Sequence, residues 1–320
     1  VFVPTLVAPS ITQMSASDGH TCAVTAAGRV LCWGDNANGE LGDETTTRRT
    51  TPIFVPGIMN ARKVAVGTDH TCVLRLDGSV WCWGARNNGQ VGDGFIGTTD
   101  MRTPTMVPGI DDASDITTGV DSTCVLRPLG GGGTRVQCWG TNQFGDLCIG
   151  TAPGNTSEDT ATPVDAIGLP TDIVEFLEGF ANRACVRLSS GGVRCWGFGG
   201  LGSLGNGDTS SSNQSGGPVV LTQAGGTEPT NIVYGCTGVF LTCVLRDDGA
   251  TPGEHEVWCT GADDFGQMGD GVAATSTNGR LDFVLAPGGV GRFDDAVAMS
   301  CGRNSVCAAR ADGATFCWGN

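Results

Sequence analysis

The sequence predicts an all-β fold, a β-propeller of six four-stranded blades, and three observations point to it. A two-strand unit recurs six times along the 320 residues. Its first cysteines stand at 22, 72, 124, 185, 243 and 307, a period of 50 to 64 residues, in the range of propeller and solenoid repeats. Helix signals are nearly absent, and the 52 glycines follow the period, as the turns of a β-repeat require.

The unit is clearest from His70 to Gly84, HTCVLRLDGSVWCWG, and its relatives begin at His20, Ser122, Arg183, Leu241 and Ser305. In each, an apolar run, a Gly-containing turn and a second apolar run form the pattern of an antiparallel hairpin. Both faces of these strands are apolar, with Val73, Leu74, Val80 and Trp81 in the second copy, as expected for a sheet sandwiched between neighbouring sheets. Tails such as TPIFVPGI from Thr51, TPTMVPGI from Thr103 and TPVDAIGL from Thr162 add an outer strand, and runs such as ARKVAVG from Ala61 supply an inner one. Four strands per repeat is the size of a propeller blade.

One domain is therefore expected over residues 1–320, with repeats at about 11–60, 61–110, 111–170, 171–228, 229–290, and 291–320 completed by 1–10. The last copy ends at Asn320 without a tail, while residues 1–10 read as a tail without its preceding strands. Pro4 to Ala8 are thus expected to close the ring as the outer strand beside the one ending in Cys317 and Trp318, since a bare edge exposes unpaired backbone groups. The alternative is a seventh repeat outside this sequence.

Between the hairpin and the tail lies the loop CWGDNANGELGDETTTRRTTP, with counterparts CWGARNNGQVGDGFIGTTDMRTP, CWGTNQFGDLCIG and CTGADDFGQMGDG. Together with the preceding HTC run and the following T-P-x-x-V, this pattern resembles the repeat of the regulator of chromosome condensation family, in the cysteine-bearing form of exported bacterial proteins. The resemblance covers essentially the whole chain. It implies a β-propeller, usually of seven blades, from which a count of six departs. It carries over no nucleotide-exchange activity, because that task depends on particular loops, whereas other members of the family are binding scaffolds.

Charge and cysteine content limit the setting. Acidic residues outnumber basic ones 33 to 18, giving a net charge of −15, a field that repels phosphate backbones, so no nucleic-acid partner is expected. No apolar stretch is long enough to cross a membrane as a helix. Fifteen cysteines suit an oxidising compartment, and twelve fall into one pair per repeat: Cys22 with Cys32, Cys72 with Cys82, Cys124 with Cys138, Cys185 with Cys195, Cys243 with Cys259, and Cys307 with Cys317. Four separations are ten and the others 14 and 16, so an even insertion lengthens the hairpin while each pair stays opposed. Reduced core cysteines are the alternative. Cys236 and Cys301 precede the pairs of adjacent repeats and are placed to bridge them, while Cys148 has no evident partner and is left unpaired or bonded to another molecule.

Other motifs dissolve into the repeat. Gly200 to Gly205 matches G-x-G-x-x-G but aligns with the ordinary loop, and no helix follows it. His20 and His70 share one repeat position, where the remaining copies have Ser, Arg, Leu and Ser, and read as packing residues. The carboxylate pairs Asp111-Asp112, Asp247-Asp248, Asp263-Asp264 and Asp294-Asp295 fall at turns, where Asp bonds its own backbone. Asn155-Thr156-Ser157 and Asn213-Gln214-Ser215 are glycan acceptors only in a eukaryotic secretory pathway. With three His, one Tyr, no nucleophile elbow, no phosphate loop and no metal-ligand spacing, no enzyme, cofactor or metal is expected.

The expectation is a secreted or cell-surface bacterial protein, a non-catalytic scaffold recognising a protein or cell-surface partner through its loops. The alternative is a structural subunit of a surface filament or coat, copies being joined through the terminal strand or Cys148. A lectin or carbohydrate-active propeller stands third, with no residues that indicate it.

Overall fold

The computed structural model describes residues 9–150, 158–179, 181–209, 214–223, 225–271 and 279–320. The first blade is built from β1 (Ile11–Ala16), β2 (His20–Thr25), β3 (Val30–Gly34) and β4 (Arg49–Phe54), hydrogen-bonded in that order. The second repeats it with β5 (Ala61–Val66), β6 (His70–Arg75), β7 (Val80–Gly84) and β8 (Met101–Met106). The third has β9 (Asp115–Thr118), β10 (Ser122–Pro128), β11 (Thr134–Gly140) and β12 (Thr160–Asp165). The fourth has β13 (Ile173–Phe176), β15 (Arg183–Leu188), β16 (Val193–Phe198) and β17 (Gln214–Val220). The fifth joins β18 (Ile232–Thr237), β19 (Leu241–Arg246), β20 (Glu256–Gly261) and β21 (Asp282–Phe283), and β14 (Glu178–Gly179) adds to it in parallel.

The sixth blade contains β22 (Ala296–Cys301), β23 (Ser305–Arg310) and β24 (Thr315–Gly319), three strands among the described residues. The closing strand expected at Pro4 to Ala8 lies outside the described residues. Six blades in a ring are evident from the central cavity, which is lined by the inner strands of blades one, two, three, five and six, through Ser15, Ala65, Thr117, Cys236 and Ser300 among others, and by Gly179 of β14, just after the inner strand of blade four. Arg303 of the sixth blade reaches Asp18 of the first at 3.1 Å.

The core lies between blades. Each of the five successive interfaces has its own buried apolar cluster; Val24, Val30, Leu41, Val64 and Trp83 form part of the first. Trp83, Trp139 and Trp196 are fully buried there, each worth roughly 2 to 3 kcal/mol of transfer free energy. The interface between blades six and one differs. Met14, on the first inner strand, is 56% exposed, whereas its equivalents Val64, Ile116, Phe176 and Met299 are at most 5% exposed.

Candidate interaction face

Antiparallel pairing puts the turn before each hairpin and the long loop after it at one end of the blade, here termed the loop face. The hairpin turn and the connection to the next blade lie at the other end, the hairpin face. The Trp-Gly pair marks where the loop leaves the sheet. Gly34 has φ 113°, and a Cβ there would stand 2.4 Å from the Gly19 carbonyl oxygen. Any side chain would push loop and turn apart. The next amide then donates to that same carbonyl, Asp35 to Gly19 at 3.0 Å, with Ala85 to Asp69 at 2.7 Å and Thr141 to Asp121 at 2.9 Å following the pattern.

A clasp ties each loop to the following blade. His20 Nε2 lies 2.7 Å from Thr71 Oγ1, whose hydroxyl donates to the Glu40 carbonyl at 2.8 Å, and the Trp83 indole donates to the same carbonyl at 2.6 Å. His70, Thr123, Gln90 and Trp139 repeat this between blades two and three, at 2.9, 3.1 and 2.9 Å. Because each threonine hydroxyl is committed to a carbonyl, His Nε2 carries the hydrogen and Nδ1 stays bare and buried without a partner. Burial accordingly lowers the His20 imidazole to about 4 and His70 to about 3. Both are neutral packing groups, at 2% and 0% exposure.

Later blades vary the clasp. Arg183 takes the histidine position in blade four and is buried, donating to the Val239 carbonyl at 2.9 Å, to Ser203 Oγ at 3.1 Å and to the carbonyls of Gly238 and Leu241. Burial lowers its guanidinium to about 9. In blade five Thr260 replaces tryptophan and donates to the Gly202 carbonyl at 2.9 Å. Between blades five and six the polar clasp residues become Leu241 and Val306; the Trp318 indole still donates to Gln267 at 3.0 Å, and a Cys236–Cys301 disulfide joins the inner strands.

What this framework presents on the loop face is partly aromatic. Phe144, Phe198 and Phe240 come from blades three, four and five and contact edge to face, with centroids 5.3 and 6.0 Å apart. All three are half-buried. Phe265 is 53% exposed, and Phe95 with Ile96, in the blade-two loop, are 66% and 52% exposed. Asp146, below Phe144, accepts its amide at 3.0 Å through one oxygen, while the other is buried without a partner; burial raises this carboxyl to about 7.

The structure places the other sequence candidates as follows. The paired cysteines stand opposed in register, Cα atoms 4.1 to 4.2 Å apart, and form disulfides in all six hairpins, including the lengthened ones at Cys124–Cys138 and Cys243–Cys259. Cys236 and Cys301 bridge blades five and six with Cα atoms 5.5 Å apart. Cys148 is fully buried, so joining copies through it requires this loop to open; burial pushes its thiol up to about 12. Gly200–Gly202 forms a short 3-10 turn. Asp247 and Asp248 cap turn amides, while Asp111 and Asp112 flank Arg127 on the hairpin face. Asn155 and Asn213 lie outside the described residues. Among the described residues no helix is long and apolar enough to cross a membrane.

Neither the clasp nor the aromatic row is a motif in one stretch of chain. The one readable signal was the His-Thr dipeptide at 20–21 and 70–71, in which each His meets the Thr of the next copy.

Six blades clasped loop to strand around one axis define a β-propeller of tandem repeats. The chain carries regulator of chromosome condensation (RCC1) repeats: family models match residues 27–74 and 77–126, and, in a second form, 11–40 and 61–90. It is 26% identical over 306 residues to the human E3 ubiquitin-protein ligase HERC2, covering 94% of this chain but 6% of the ligase, and 25% identical to the mouse protein. The chain thus spans a small fraction of those relatives. In fold it resembles human WBSCR16, with TM-score 0.78 and 18% identity over 98% of this chain and 77% of that one. Prp20p from Saccharomyces cerevisiae aligns with TM-score 0.72 and 19% identity, over 97% and 72% of the two chains.

Proposed function

We propose that this protein is a non-catalytic extracellular scaffold that recognises a protein partner through its loop face. The observation that carries this is the aromatic row Phe144, Phe198 and Phe240, held half-exposed on loops whose carbonyls and amides are tied to neighbouring blades. Aromatic side chains on a rigid support suit binding hot spots, because little conformational entropy is lost when they are covered. Structural relatives carry protein-binding descriptions: Prp20p was characterised for binding to Gsp1p and histones, and yeast RCC1 was solved with Kap60 bound. The ligase activity of HERC2 belongs to a far longer protein. Seven disulfides support secretion or surface display in an oxidising compartment, and the bacterial origin rests on the cysteine-bearing form of the repeat.

Self-association by strand addition is the second reading, favoured by β24, whose outer side has no partner among the described residues. Photo-crosslinking residues placed at Phe265 on the loop face and Leu76 on the hairpin face, both exposed, separate these ideas. Heterologous adducts from position 265 are expected. Adducts from position 76 alone overturn the loop-face reading, and adducts only between copies of the chain favour self-association.

A further inference from the structure

Acidic groups on the hairpin face are paired in part: Arg127 contacts Asp112 and lies 3.4 Å from Asp111, and Arg310 bonds Asp295 at 2.8 Å, while Asp247, Asp248 and Asp312 cap turn amides. On the loop face Asp18, Asp35, Asp43 and Asp93 have arginine partners, at 2.6 to 3.1 Å. Asp69, Asp100 and Asp121 have no such cation among the described residues; Asp121 instead accepts from the side-chain amides of Asn88 at 3.1 Å and Gln90 at 3.2 Å. Burial first, then repulsion from Asp100, holds the Asp69 carboxyl above the usual range; burial, Asp69 and Asp159 do the same to Asp121.

This uncompensated charge adjoins the aromatic row. The Asp121 carbonyl anchors the start of the loop that carries Phe144, through the Thr141 amide at 2.9 Å, and Phe144 leads on to Phe198 and Phe240. A ligand lying along this arc meets negative charge over blades two and three and ring faces over blades three to five. Lys or Arg side chains answer both, since they pair with carboxylates and also stack over aromatic faces. Long-range attraction from the net charge of −15 acts in the same direction.

We infer that the loop face takes a basic protein segment, with Lys or Arg over Asp69, Asp100 and Asp121 and an apolar side chain against Phe144, Phe198 and Phe240. This rests on the reading that the loop face is the binding face, and adds the sign and chemistry of the partner.

The probe is a short fluorescent peptide of lysine and arginine around one phenylalanine, with a counterpart carrying glutamate at every cationic position. Fluorescence anisotropy should show the basic peptide binding, more weakly as salt rises, and the acidic one not binding. The near-isosteric double change Asp69→Asn with Asp121→Asn should weaken binding about five-fold or more. Asp100→Asn gives an independent variant should the double change disturb the fold, and Asp111→Asn with Asp112→Asn on the hairpin face should leave binding unchanged. Equal binding of the two peptides, or equal losses from changes on either face, overturns the inference. A loop-face crosslink at position 265 to a partner whose contact segment is acidic also overturns it, while leaving the loop face itself as the binding surface.

Discussion

Blades one to three and blades four to six solve the same packing problem with different chemistry. In the first half, His20 with Thr71 and His70 with Thr123 clasp one blade to the next through neutral hydrogen bonds to a loop carbonyl. In the second half a single buried guanidinium, Arg183, gathers three carbonyls of the next blade, and where Leu241 and Val306 cannot bond, a disulfide joins the inner strands instead. The comparison shows that the repeat conserves the blade-to-blade connection more strictly than the residues that make it. It also shows where the connection is most concentrated, hence most vulnerable to one change.

The largest expected effect is therefore at Arg183. Arg183→Met keeps much of the volume but removes the guanidinium donor from the carbonyls of Gly238 and Val239, while the Leu241 carbonyl keeps the Gly238 amide, and should cost about 3 to 5 kcal/mol in denaturant unfolding. A loss below 1 kcal/mol would remove the argument that one residue replaces the distributed clasp. Replacing Cys236 and Cys301 together by serine should cost about 4 kcal/mol on the chain-entropy estimate for a loop of 65 residues, with the loss expressed as earlier opening of blade six. Hydrogen exchange of β22 to β24 reads that out; unchanged protection there would mean the bridge is redundant.

Buried groups within the first half should also respond to pH in opposite directions. The folded-state imidazoles of His20 and His70 are depressed to about 4 and 3, so the native state binds fewer protons than the unfolded chain below about 6.5. Their contribution is complete above the unfolded value and is lost as pH falls from 6.5 toward 4. Asp146 is raised to about 7, so its contribution is complete below the unfolded carboxylate value near 4 and declines as pH rises through 7. Melting temperatures measured from pH 4 to 8 should show His70→Asn flattening the acid limb, and Asp146→Asn flattening the neutral limb. The reverse assignment would contradict the burial argument for both. The smallest effect is Trp83→Phe, which deletes one indole bond to the Glu40 carbonyl and should cost about 1 to 2 kcal/mol.

Much of this fold was legible in the sequence because tandem copies expose their own register. Four cysteine pairs at separation ten define hairpins, and the Trp-Gly pair recurs because the backbone at Gly34 and its equivalents presses against the turn. The clasp was less legible, because its partners lie about fifty residues apart and in different copies; His20 and His70 read as packing residues, and only the fold shows that each reaches the next blade's threonine. Arg183 in the sequence is one more deviation at that position. The aromatic row was invisible for a different reason. Phe144, Phe198 and Phe240 occupy three different repeat positions, so no alignment of copies groups them, and only the ring brings them into edge-to-face contact.

The central claim is that the blade-to-blade connections make the loop face a rigid platform, which amide hydrogen exchange at the loop bases tests most directly. The amides of Asp35, Ala85, Thr141, Phe198 and Ala262 each donate to a turn carbonyl of their own blade, at 2.6 to 3.0 Å. They should exchange at least about a hundred-fold more slowly than in an unstructured peptide, in both halves of the ring, and Arg183→Met should release Phe198 and Ala262 while sparing Asp35 and Ala85. Exchange of all five at unstructured rates in the unaltered protein would contradict the account.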